Sequence, residues 1–95
     1  MPTNSIEVQL QKAIEMKEKV QDFAKNLQLR MDSIRNTLDE YIRAGFPVDI
    51  ADHYRSIYYE PDRESINGLC QSMLNEHVEY LEGLIKVFIK IRDRR

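Results

Sequence analysis

Apolar residues in the first half of the chain recur in alternating steps of three and four. They are Ile6, Leu10, Ala13, Val20, Ala24, Leu27, Met31, Ile34, Leu38 and Tyr41, with Lys17 the one member of the series out of character. Such steps place every member on one stripe of an α-helix, and a repeat held over about five heptads is a coiled-coil pattern. Neither proline nor glycine interrupts the stretch from Ser5 to Ala44. Asn4 with Glu7 forms a capping box, and Gly45 supplies the left-handed residue that closes a last turn. The pattern predicts one helix over about residues 5–44, about 60 Å long. A stripe of that length needs a partner to bury it.

The chain then turns at Phe46-Pro47. Ile50, Ala51, Tyr54, Ile57 and Tyr58 share one face at helical spacing, with Asp49 and Asp52 where acids suit a helix start. This predicts a short helix over about residues 48–59. Glu60-Pro61-Asp62 is expected to end it and to start another, because proline is favoured in a first turn.

The last helix is expected over about residues 62–93, and it carries two apolar rows. One is Ile66, Cys70, Met73, His77, Tyr80, Leu84, Val87 and Ile91; the other is Leu74, Val78, Leu81, Ile85 and Phe88. Together they cover an arc of about 200°, where one neighbour needs about half that. An antiparallel hairpin with Gly45 opposite Asp62 pairs Tyr41 with Ile66, Ile34 with Met73, Leu27 with Tyr80 and Val20 with Val87. Apolar then meets apolar throughout. Lys17 falls near Lys90 and Ile91, while Ile6 and Leu10 overhang. The second row has no cover within the hairpin. A partner interface of Leu74, Val78, Leu81, Ile85, Phe88, Ile6 and Leu10 is therefore expected. The fold class expected is all-α: a single domain over residues 1–95, an antiparallel hairpin of two long helices with a short helix at the turn. Dimerisation would complete a four-helix bundle.

Composition supports long helices, with charged residues at 32% and only three glycines in 95 residues. The formal net charge of −2 offers no basic excess for nucleic acid. No apolar run approaches the ~20 residues of a membrane span, so no membrane partner is expected. The start of the chain, MPTNSIEVQLQK, has no basic region followed by an apolar stretch. With a single cysteine, Cys70, this points to a cytoplasmic protein.

Candidate chemistry is sparse. Glu15-x-x-Glu18 and Glu76-x-x-Glu79-x-x-Glu82 resemble the carboxylate spacing of all-helical pyrophosphohydrolases, which implies magnesium held between facing helices. These glutamates lie opposite the apolar rows, however, and Glu15–Lys19 and Glu82–Lys86 make exposed ion pairs at helical spacing. His77 lacks the Glu-x-x-His spacing of di-iron bundles. His53 with Asp49 supplies two ligands, short of a zinc site. Cys70, in a row beside Leu69 and Met73, reads as a small core residue. No phosphate loop or nucleophile triad is present.

No catalytic residue, cofactor or metal ligand is therefore assigned. The expected function is a non-enzymatic helical interaction module, such as an adaptor, chaperone or assembly subunit, with a homodimer or a helical protein as partner. A small metal-dependent hydrolase and a regulator binding nucleic acid through Lys86, Lys90, Arg92 and Arg94 are the alternatives. Around the turn, Tyr54 and Tyr58 are expected to plug the end of the bundle. Arg43, His53, Arg55, Tyr59 and Arg63 face outward as a recognition surface, since Tyr and Arg favour interfaces.

Overall fold

A stretch free of proline and glycine, with an unbroken apolar stripe, forms the helix α1 (Ile6–Arg43). The structure, a computed structural model, describes residues 5–94. The capping role expected of Asn4 lies outside the described residues. Glu7 instead accepts a 2.8 Å hydrogen bond from the Ser5 hydroxyl. The end of α1 matches expectation. Gly45 takes φ 111°, Phe46 N–H donates to Tyr41 O at 2.9 Å and Gly45 N–H to Ile42 O at 3.1 Å. That pair of bonds is the Schellman closure, and it leaves glycine as the residue without steric penalty at the left-handed position.

The second half differs from its expected division. Helical backbone runs without a break from residue 48 to residue 93. It comprises α2 (Val48–Tyr54), a π turn (Arg55–Tyr59), α3 (Glu60–Ser72), a second π turn (Met73–His77) and α4 (Val78–Asp93). The expected boundary at Pro61 is absent. Proline lacks an N–H and its ring crowds the carbonyl four residues back, here that of Ile57. The widened turn just upstream opens the helix at that point. Glu60 N–H reaches five residues back to Arg55 O, and Val78 N–H reaches Met73 O in the same way. A turn closed over five residues holds one residue more than an α turn. Each π turn therefore shifts the phase of the helix beyond it. Buried positions fall at Ala51, Tyr59, Cys70 and Val78, and the longer-than-heptad steps from Ala51 to Tyr59 and from Cys70 to Val78 each contain a π turn.

The described residues are all-α, with no strand among them. They divide into two units. In the unit Lys25–Cys70, side-chain contacts join the end of α1 to the segment that follows the turn. Met31, Ala51, Tyr59 and Cys70 are its buried residues. The Tyr59 hydroxyl donates to Met31 O at 2.8 Å, and Arg55 Nη2 lies 3.1 Å from Asp39 Oδ1.

The other unit joins residues up to Ala24 with Gln71 onward. Ile6, Leu10, Ala13, Val20 and Ala24 line the buried side of α1 here, and Val78 is buried on α4. Lys17 Nζ sits 3.8 Å from Glu82 Oε1. The expected register, which put Lys17 beside Lys90 and Ile91, is therefore corrected. Counting from Asp62 set it too far along, because the helix that returns begins at Val48. Ile6 and Leu10 do not overhang but are buried within the chain.

Candidate functional site

The inner row of α4 is the one expected to face a partner. Val78 is 6% exposed, and Leu74, Leu81, Ile85 and Phe88 are half-buried. Within the single chain, then, Val78 is covered and the other four are covered in part. The row expected to face α1 is divided: Cys70 is fully buried and Ile66 and Met73 are half-buried, while beyond Met73 most of the row turns out. Tyr80 is 67% exposed, Val87 50% and Ile91 44%, with His77 also exposed and Leu84 half-buried. The π turn Met73–His77 accounts for the exchange. One extra residue rotates the next helix by about a quarter turn, so Cys70 and Val78 are both buried although they belong to different rows of the sequence pattern.

The exposed row borders two open grooves. One, of ≈360 Å³, is lined by Met16 and Val20 of α1 and by Glu76, His77, Tyr80 and Leu81. Met16 is itself exposed, as is Phe23 two turns further along the same side of α1. The other groove, of ≈520 Å³, runs over α4 between Glu76, Glu79, Tyr80, Gly83, Leu84 and Val87. Glu76 and Tyr80 belong to both. Gly83 leaves a gap in the side-chain surface, and a Cβ built there meets nothing within 4 Å. The opposite flank is polar at its centre, where Glu82 meets Lys17. Glu76 accepts a 2.6 Å hydrogen bond from the Ser72 hydroxyl, which holds its carboxylate on the helix.

The residues expected to form a recognition surface at the turn separate. Arg43 and His53 are exposed. Tyr59 is not: it is 3% exposed and bonded to Met31 O. Arg55 is half-buried, held by Asp39 at 3.1 Å and Asp52 at 3.7 Å, with its Nε buried and unpartnered by any described residue. Arg63 is half-buried and 3.6 Å from Glu60. Tyr54 and Tyr58, expected inside, are exposed and stack on one another with ring centroids 6.3 Å apart. The first π turn again explains the exchange, since it carries Tyr59 to the inner face in place of Tyr58. The stacked rings border a groove of ≈500 Å³ with Met31, Ile34, Tyr59, Asp62 and Ile66.

Among the described residues no three His, Cys, Asp or Glu side chains gather where they would hold a metal ion. Glu18, Glu76, Glu79 and Glu82 are exposed. Glu15, which takes hydrogen bonds from Gln11 and Lys12 at 3.3 Å each, is held below the usual carboxylate range, chiefly by Gln11 and then by Lys12. Cys70 is fully buried and forms no disulfide. No described helix is long and apolar enough to cross a membrane.

Comparison with known proteins finds no matching family model, and no curated protein or solved structure with significant similarity. The surface itself is therefore the guide to function. Tyr80, Val87, Met16 and Phe23 were the residues hidden by the sequence pattern. The width of the apolar arc on the last helix was the signal for Tyr80 and Val87, and Gly83 lies beside that arc on its polar edge.

Proposed function

We propose that the chain is a non-enzymatic helical protein–protein interaction module, of the adaptor, chaperone or assembly-subunit kind. In this reading α1 and the helical run 48–93 form an antiparallel hairpin, and a partner hairpin completes a four-helix bundle. The observation that carries the reading is the exposure of Tyr80, on a helix whose other side is already packed. Val87 and Ile91 extend that row, and the groove beside Met16 lies next to it. A partner helix recognises such a surface by laying an apolar face into it. Burying each large apolar side chain contributes about 1.5–3 kcal/mol, so a few anchors suffice for specific binding. The acidic and basic residues along α4 set which partners are tolerated.

The test combines light scattering with a hydrophobic dye. The reading expects either an oligomer, or a monomer that binds the dye at Met16 and Tyr80. In both cases Met16→Glu with Tyr80→Glu removes the behaviour and leaves the helical spectrum in place. A monomer that binds no dye would overturn the reading.

A further inference from the structure

We propose that the outer face of α4 is covered by a second copy of this chain, packed antiparallel about a two-fold axis beside Gly83. The inference rests on the interaction-module reading and adds the identity and orientation of the partner.

Charge order is the first support. From Glu76 onward acids come before bases: Glu76, Glu79 and Glu82 precede Lys86, Lys90, Arg92 and Arg94, all exposed. A second α4 laid antiparallel, with Gly83 opposite Gly83, sets Glu76 level with Lys90 and Glu79 within one residue of Lys86, each pair made twice. A parallel copy sets acid on acid and base on base. Complementary rims of this kind fix register and reject wrong arrangements.

The apolar residues obey the same register. Tyr80 and Val87 flank Gly83 on the exposed row. In the antiparallel arrangement Tyr80 of one copy comes within one residue of the level of Val87 of the other, close enough for the side chains to touch, and the converse contact is made at the same time. A self-complementary patch, in which one residue pair is used twice, is the requirement for a two-fold interface.

Gly83 itself is the third support. Glycine inside a helix costs about 1 kcal/mol relative to alanine. No described residue lies near enough to require it, since a Cβ at Gly83 meets no atom within 4 Å. At a helix crossing the missing side chain lets two backbones approach closely. A contact centred on one helix pair is small beside the ~800 Å² per partner of a standard interface, so the dimer is sought up to high micromolar protein.

Sedimentation equilibrium from low to high micromolar protein tests the arrangement on the wild type, Lys90→Glu, Glu76→Lys with Lys90→Glu, and Gly83→Leu. The wild type should dimerise. Lys90→Glu should weaken the dimer about tenfold or more, because Glu76 then faces an acid, and the double exchange should restore it. Gly83→Leu should abolish the dimer while helicity holds or rises, since leucine is the better helix former. A dimer insensitive to the charge reversal, or one that survives Gly83→Leu unchanged, overturns the proposal. A monomeric wild type that still binds a hydrophobic dye overturns the second copy and leaves the module reading standing. A monomeric wild type that binds none overturns both.

Discussion

The hydroxyl of Tyr59 donates a buried 2.8 Å hydrogen bond to the main-chain carbonyl of Met31. This bond ties the returning helix to α1 within the Lys25–Cys70 unit. It is possible only because the π turn Arg55–Tyr59 brings Tyr59 inward and leaves Tyr58 outside. Removing the hydroxyl alone, as Tyr59→Phe, should lower stability by about 1 kcal/mol. Tyr59→Ala should cost about 3–5 kcal/mol, the range for a buried aromatic ring. Tyr58→Ala should stay within about 0.5 kcal/mol, as exposed substitutions usually do. Urea unfolding of the three variants checks the order.

Arg55 reaches across the same unit to Asp39. Its side chain is about one-third exposed and that of Asp39 nearly half, so water screens the pair. Asp39→Asn should therefore cost no more than about 1 kcal/mol. The difference from wild type should shrink as salt rises, because screening strengthens with ionic strength. Thermal melts at low and high sodium chloride measure it, and a salt-independent loss would mean that packing rather than charge is at stake.

A π turn that holds one residue too many should accept a deletion. Asn75 is exposed within Met73–His77. Removing it should convert that turn to ordinary α-helix and keep Val78, Leu81 and Ile85 on the inner face, with the helical spectrum preserved. Removing Gly83, in the regular part of α4, should instead rotate Ile85 and Phe88 out of place and lower the melting temperature. Circular dichroism melts distinguish the two deletions, and equal losses would contradict the phase shift assigned to the turn.

Glu15 gives a pH signature. Hydrogen bonds from Gln11 and Lys12 and the charge of Lys12 favour its ionised form, so its folded pKa lies below the unfolded value. The stabilisation is then present above the unfolded pKa and lost as pH falls through the folded one. NMR titration should place the Glu15 midpoint lower in wild type than in Gln11→Ala with Lys12→Ala. A midpoint unmoved by the double change would contradict the assignment.

Much of the first helix is legible in the sequence. Of the stripe that the heptad pattern picks out, Ile6, Leu10, Ala13, Val20, Ala24 and Met31 are buried and Leu27 and Leu38 half-buried, while Ile34 and Tyr41 near the turn are exposed. Gly45 was legible because few other residues accept its φ. Pro61 misled for a physical reason. Proline usually marks a boundary, and nothing local announces that a widened turn will absorb it. The two π turns were equally hidden, since a heptad count carried across an extra residue continues along the wrong row. Their trace was nonetheless present: two overlapping apolar rows on one helix record the switch of the inner face from Cys70 to Val78. Tyr80 and Tyr59 were misplaced by the same mechanism, one assigned inside and one outside.

The central claim is that α4 packs inward through the Val78 row and offers the Tyr80 row to a partner. Sedimentation equilibrium of Tyr80→Glu beside the wild type, with circular dichroism on the same samples, tests it most directly. The account predicts that Tyr80→Glu keeps the wild-type helicity and loses the association, because the new carboxylate is solvated in the monomer and desolvated at the contact. A Tyr80→Glu chain that unfolds would place Tyr80 in the core, and one that associates as the wild type does would place the contact elsewhere; either result contradicts the account.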